Sequence, residues 1–226
     1  MKEQYDLCKT NINLMKLFKQ IILLLAIALS GSLQAQPNSQ KILDDLANKT
    51  NAAKNIKVAF SYKMDNAEAD IHEITEGSLV VSGDKYQLKI AGQEIICDGK
   101  TIWTYIADAE EVQINEVNED ESFSPTKLLS SYSDDYNATL EKEYTENNRA
   151  YYLMKLVPKD KNSGFEYVHL IIEKDKMQLA AFNLYDFDHN IFSYLIKEYL
   201  TNVALGENAF TFEASKYPGV DIIDMR

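Results

Sequence analysis

Cysteine is scarce in this chain. Two residues in 226, Cys8 and Cys97, exclude a disulfide-dense scaffold and a multi-cysteine metal cluster. Three histidines, His72, His169 and His189, are widely spaced and follow no HExxH pattern, so no metal site is expected. There is no GxSxG elbow and no glycine-rich phosphate loop, and the loop pairs Asp134-Asp135 and Asp186/Asp188 have no partner acid set by a motif. Nothing in the sequence asks for an enzyme or a cofactor. Basic residues are also in deficit, 23 against 35 acids for a net charge of -12, which argues against nucleic acid as a partner. Linkers, low-complexity runs and repeats are absent, so one domain is expected.

Long apolar runs are missing too. The best is IILLLAIAL at Ile21–Leu29, far short of the ~20 residues a membrane-crossing helix needs. Lys16 and Lys19 precede it and Gly31, Ser32 and Ala35 follow, the pattern of an export signal. Cleavage is expected after Ala35, leaving residues 36–226 as the mature domain with Gln36 at its front; a retained anchor is the alternative. Met15 opens a more typical signal than Met1 does. Loss of residues 1–35 removes four lysines, two acids and Cys8, leaving 19 basic and 33 acidic side chains, a net of -14, with Cys97 as the one thiol. No cysteine stands directly after the apolar run, so the usual handle for lipid anchoring is missing, and a free monomer is expected.

What is abundant is alternation. After a helix capped at Ser39, with Ile42, Leu43, Leu46 and Ala47 on one face and Asp44 and Asp45 near its positive end, the apolar period drops from 3.6 to two. Strands are expected at Val58–Tyr62, Asp70–Ser82, Tyr86–Ile90, Glu94–Cys97, Thr101–Ile106 and Val112–Ile114. Asp98-Gly99 is the strongest hairpin signal. Ser124-Pro125 then opens a short helix over Pro125–Ser131, with Leu128 and Leu129 inward. Strands resume at Ala138–Tyr144, Ala150–Val157, Glu166–Glu173, Gln178–Tyr185, Ser193–Leu200 and Ala209–Phe212, and Val220, Ile222 and Ile223 pack as an edge. Strands so closely spaced must run antiparallel. About eleven of them in one sheet curl strongly or close, and two helices are the only filling for the hollow side. If they do not fill it, a cavity remains.

The aromatic stock is large: 13 Tyr, eight Phe and one Trp after residue 35. Phe60, Tyr62, Tyr86, Trp103, Tyr105, Tyr151, Phe182 and Phe192 fall on strands, as core filling or as the wall of an apolar groove with a polar rim. Cys97 reads as a small buried hydrophobe or a reactive thiol. Seven acids and no base between Asp108 and Glu121 form either a solvated face or a docking surface for a basic partner.

The helix at Lys41–Asn48, the strand with Val58 and Phe60, EGSLVVSGDKYQL at Glu76–Leu88, ICDGKTIWTY at Ile96–Tyr105, FTF at Phe210–Phe212 and PGVDIID at Pro218–Asp224 together resemble the periplasmic outer-membrane lipoprotein carrier family, LolA. The resemblance implies a mainly β fold: an incomplete, strongly curved antiparallel barrel of about eleven strands, with an N-terminal and a short central helix as a lid over the concave face. It implies a periplasmic carrier that shelters the acyl chains of lipoproteins and moves them from an inner-membrane release complex to an outer-membrane receptor. A non-enzymatic lipid-sensing or interaction module on the same sheet is the alternative. An integral outer-membrane barrel fits poorly with the two helices and the acidic strand borders. The cavity and lid residues expected are Leu43, Leu46, Phe60, Tyr62, Leu79, Tyr86, Leu88, Trp103, Tyr105, Leu128, Leu129 and Phe182. One departure is visible. The basic residue by which the family's lid is held falls at Ser82 or Gly83 here, and the nearest bases are Lys85 and Lys89.

Overall fold

The computed structural model describes residues 38–117 and 135–226. The export signal expected at residues 1–35, Leu128, Leu129 and the helix expected at Pro125–Ser131 lie outside the described residues, as do Glu119, Asp120 and Glu121 of the acidic block. Among the described residues one α-helix, α1 (Ser39–Asn51), leads into twelve strands. These are β1 (Ile56–Asn66), β2 (Ile71–Ser82), β3 (Lys85–Ile90), β4 (Gln93–Cys97), β5 (Thr101–Ile106) and β6 (Glu111–Glu116), followed by β7 (Tyr136–Glu146), β8 (Arg149–Pro158), β9 (Tyr167–Glu173), β10 (Gln178–Tyr185), β11 (Ile191–Thr201) and β12 (Asp221–Asp224). They form a single open sheet in the order β12-β6-β5-β4-β3-β2-β1-β11-β10-β9-β8-β7. Two meanders, β1–β6 and β7–β11, thus meet at one antiparallel seam between β1 and β11.

The curl has local causes. Extra residues bulge from β11 opposite Ala59/Phe60, from β10 between Leu179 and Ala181, and from β7 between Leu140 and Lys142. Each bulge bends its strand and deepens the twist. The seam is fastened at both ends by asparagines. Asn55 Nδ2 donates to the Val203 carbonyl at 3.0 Å and its Oδ1 accepts from Val203 N at 2.9 Å. At the far end Asn66 Nδ2 donates to Asn190 Oδ1 at 2.7 Å and to the Asp188 carbonyl at 3.1 Å.

The sheet bends around α1. Ile42, Leu43 and Leu46 of the helix join Ile56, Val58 and Phe60 of β1, Leu79 and Val81 of β2, Met154 and Leu156 of β8, Val168, Leu170 and Ile172 of β9 and Leu179 and Phe182 of β10 in one buried cluster. Strands distant in the sheet order share this core, which is possible only on the inner face of a curled sheet. Each fully buried aliphatic side chain contributes about 1.5–3 kcal/mol.

Three sequence expectations change. The N-cap is Asn38, not Ser39: Asn38 Oδ1 accepts from Gln40 N at 3.0 Å, whereas Ser39 Oγ accepts from Leu140 N at 2.9 Å and ties the helix to β7. The first turn carries no acid. Asp44 and Asp45 sit beyond it, taking bonds from Gln40 Nε2 at 2.8 Å and Lys41 Nζ at 2.7 Å, the i,i+4 arrangement of an exposed helix flank. Ala209–Phe212 is not a strand. That segment crosses the outer face as turns and a 3-10 turn at Ala214–Lys216, and the final strand is β12, paired in parallel with β6.

Candidate functional site

Register assigns every strand residue to a face. On the inner face, Ile56, Val58, Phe60 and Tyr62 stand beside Val81, Leu79, Gly77 and Thr75. The rows continue through Tyr86, Leu88 and Ile90, then Cys97, Ile95 and Gln93, then Ile102, Thr104 and Ile106, and end at Asn115, Gln113 and Glu111. The inner surface therefore grades from closely packed hydrocarbon at the seam to a polar border at β6.

Burial divides the same surface. Under α1 it is sealed: Leu43, Leu46, Phe60, Leu79 and Phe182 are all buried. Tyr62, Tyr86, Leu88 and Ile90 flank this core at partial burial. Ile95, Ile102, Thr104 and Ile106 are also only half-buried. α1 packs against β7 and β10, so among the described residues the helix covers one half of the trough and leaves a row of apolar side chains on β3–β5 as its continuation.

Tyrosines mark the boundary. Tyr194 stacks on Phe182 at 4.2 Å and tilts against Tyr62 at 5.1 Å and Phe60 at 5.6 Å. Burial pushes the Tyr194 hydroxyl up to about 12, with Tyr62 beside it adding to the effect. Burial likewise raises Tyr199, against a hydrogen bond with Thr50 that lowers it and links β11 to the end of α1. These phenols stay neutral and serve as polar tips on an apolar wall.

Gly77 sets the shape of the trough at its centre. Directly opposite Phe60 in the ladder, it lets the ring lie across its Cα. A Cβ there would be 2.5 Å from Phe60 Cε2 and 3.0 Å from the Lys89 carbonyl oxygen. Ser82 Oγ donates to the Lys54 carbonyl at 3.0 Å, just past α1, and so ties the end of β2 to the helix exit.

Ten of the twelve expected site residues are described, and they divide between the faces. Leu43, Leu46, Phe60, Tyr62, Leu79, Tyr86, Leu88 and Phe182 come together on or against the inner cluster. Trp103 and Tyr105 do not: paired with Ile96 and Glu94, they stand on the outer face. There Trp103 stacks on Phe212 at 6.3 Å, and Tyr105 meets Tyr217 at 4.6 Å. Cys97 is buried, 1% exposed; desolvation pushes its thiol up although Gly99 N donates to Sγ at 3.4 Å. Ile90, Ile95, Ile102 and Ile106 were missed, and only the register reveals that they share a face with Leu88. Of the acidic block, Asp108 and Glu110 lie in the β5–β6 turn and Glu111 and Glu116 bound β6.

With this geometry in place, comparison with known proteins is informative. The family model described as outer membrane lipoprotein carrier protein LolA matches residues 51–213. The chain belongs to the LolA family. An outer-membrane lipoprotein carrier protein of Methylococcus capsulatus is 33% identical over 135 residues, 58% of this chain and 61% of the relative. One from Histophilus somni is 32% identical over 133 residues, 59% and 61% of the two chains. The LolA-family match thus spans about three fifths of the length of these curated relatives. An uncharacterized conserved protein from Thermus thermophilus superposes with a TM-score of 0.56 at 11% identity, covering 82% of this chain and 98% of that one; at such identity the likeness concerns the fold alone.

Proposed function

We propose that this chain is a periplasmic carrier that shelters the acyl chains of lipoproteins against its inner face and moves them toward the outer membrane. Residues 1–35 act as the export signal, and residues 36–226 form the carrier domain. The single observation that carries the reading is the apolar surface that continues past α1, from Tyr86, Leu88 and Ile90 through Ile95, Ile102 and Ile106, none of it fully buried. Hydrocarbon tails laid there gain about 0.8 kcal/mol per sheltered CH2. A surface that is half-buried, rather than a closed cavity, allows release as well as capture. An inner-membrane release complex and an outer-membrane receptor are the partners this role requires.

The test is uptake. Purified from a membrane-containing lysate, the protein should retain acylated material in native mass spectrometry and take up a hydrophobic fluorescent probe. Leu88→Glu should abolish uptake while the circular dichroism stays native, because the introduced carboxylate would be desolvated by cargo. Trp103→Ala, on the outer face, should leave uptake intact. An interaction module without a lipid role would take up no probe in any variant.

A further inference from the structure

Beyond the trough, the sheet has an unusual step. β2 pairs with β1 along its whole length, Ile71–Ser82, but with β3 only over Gly77–Ser82. The tips of the β3–β4 and β5–β6 hairpins stop at residues 91–92 and 107–110. Six residues of β2, Ile71–Glu76, therefore rise past the hairpin tips with one edge unpaired among the described residues. Which backbone groups face the gap follows from the β2–β3 turn. Ser82 and Lys85 flank the two-residue turn Gly83-Asp84, and the pair flanking such a turn exchanges both of its hydrogen bonds. Alternation then directs the N–H and C=O of Ser82, Val80 and Ser78 toward β3, and those of Glu76, Ile74 and His72 into the gap.

The gap has room. An open notch of about 450 Å³ is lined by Thr75, Glu76, Gly77 and Ser78 of β2, by Lys89–Glu94 at the hairpin tip and by Tyr105 of β5. It sits where the two faces meet at the edge: Thr75, Gly77 and Ile90 belong to the inner-face rows, and Glu76, Ser78, Lys89, Glu94 and Tyr105 to the outer ones. Ile74 above it is 68% exposed. The charged side chains along the edge are mostly acidic: Asp70, Glu73 and Glu76 stand with His72, and Glu76 is bound to Lys197 at 2.6 Å. An unpaired edge of this length is a template for another strand, and strand addition is an established way of holding an extended peptide.

We propose that the free edge of β2 at Ile71–Glu76 binds, by strand addition, the extended peptide that follows the acylated residue of the cargo. This rests on the carrier reading, since acyl chains in the trough leave the peptide attached to them nowhere to go except over a rim. The notch is the rim that offers backbone hydrogen bonds. Six residues of strand span about 20 Å, enough to fix the direction in which the cargo leaves. The acidic edge favours a peptide with basic or uncharged residues and disfavours an acidic one.

The experiment compares three probes on the full chain: a diacylglyceryl-cysteine peptide with a serine- and lysine-containing tail of eight residues, the same lipid as its cysteine methyl ester, and the tail peptide alone. Amide exchange is followed by NMR. The lipopeptide should slow exchange at His72, Ile74 and Glu76 by about tenfold or more, and the methyl ester should bind the trough without doing so. Lipopeptide binding with no protection at these three amides, or equal protection by the methyl ester, overturns strand addition and leaves the carrier reading standing. Failure of both lipids to bind overturns the two together. Ile74→Pro removes one notch-facing donor and no β1–β2 bond, and edge strands accept proline. It should cut the lipopeptide's affinity to that of the methyl ester, and an unchanged affinity counts against the proposal.

Discussion

Gly77→Ala is the sharpest probe of how the trough is built. The added methyl would be 2.5 Å from Phe60 Cε2 and 3.0 Å from the Lys89 carbonyl oxygen. Phe60 is 4% exposed, with Tyr194 and Phe182 stacked beyond it, so the ring cannot swing into solvent. Gly77 has no positive φ; the cost is steric, not conformational. Overpacking of this kind costs about 1–3 kcal/mol, which for a domain of this size lowers the thermal midpoint by roughly 2–4 °C for each kcal/mol. The decisive measurement is a double-mutant cycle with Phe60→Ala, followed by thermal or urea unfolding. Phe60→Ala alone should cost about 3–5 kcal/mol. In that background Gly77→Ala should cost much less, because only the 3.0 Å approach to the Lys89 carbonyl oxygen remains once the ring is gone. A coupling of about 1–3 kcal/mol is expected. Additive effects would refute the claim that Gly77 exists to seat Phe60.

Other outcomes follow from the same geometry. Asn38→Ala should lower stability by about 1 kcal/mol through loss of the cap, and Ser39→Ala by a similar amount through the stranded Leu140 amide; chemical denaturation of the pair separates the roles. Cys97 should react with a thiol-directed reagent at least about a hundredfold more slowly in the native protein than in denaturant, and rapid native labelling would contradict its burial. His169 gives a pH dependence. Desolvation depresses its pKa in the folded state although the nearby Glu141 opposes this, and its Nε2 lies 3.2 Å from that carboxylate without hydrogen-bond alignment. The neutral imidazole is therefore the form the fold prefers: its contribution is complete above about 6.5, the unfolded value, and is lost as pH falls toward the depressed folded value. Urea midpoints at pH 7.5 and 5.5 should differ by less in His169→Gln than in the parent.

The strands were legible because period-two alternation and the turn residues between them are local signals. Asp98 shows this well. Its carboxylate accepts from Lys100 N at 2.9 Å and Thr101 N at 2.8 Å beside Gly99 at φ 94°, all within four residues. Which face is hollow was not legible. In β5, Ile102 and Ile106 point one way and Trp103 and Tyr105 the other, and both sets are apolar. The choice was made by a segment more than a hundred residues later, when Phe212 and Tyr217 cover the aromatic pair. The same contact explains why Phe210–Phe212 alternates like a strand without being one: its rings satisfy a sheet face instead of a ladder. The cap at Asn38 lost to Ser39 in the sequence because both are good caps, and only the proximity of Leu140 N on β7 decides between them. The seam asparagines carry no local mark, since their partners are more than 120 positions away.

That seam has a practical consequence. Each meander consists of sequence-adjacent hairpins, so either can be made as its own polypeptide. What joins the halves non-covalently is the β1–β11 ladder, the parallel β6–β12 ladder, the Phe212 and Tyr217 rings lying on β5, the shared inner core and two asparagine clasps. Severing the covalent link between β6 and β7 should leave halves that find each other again when mixed. A reporter split at that point would then read out reassembly directly.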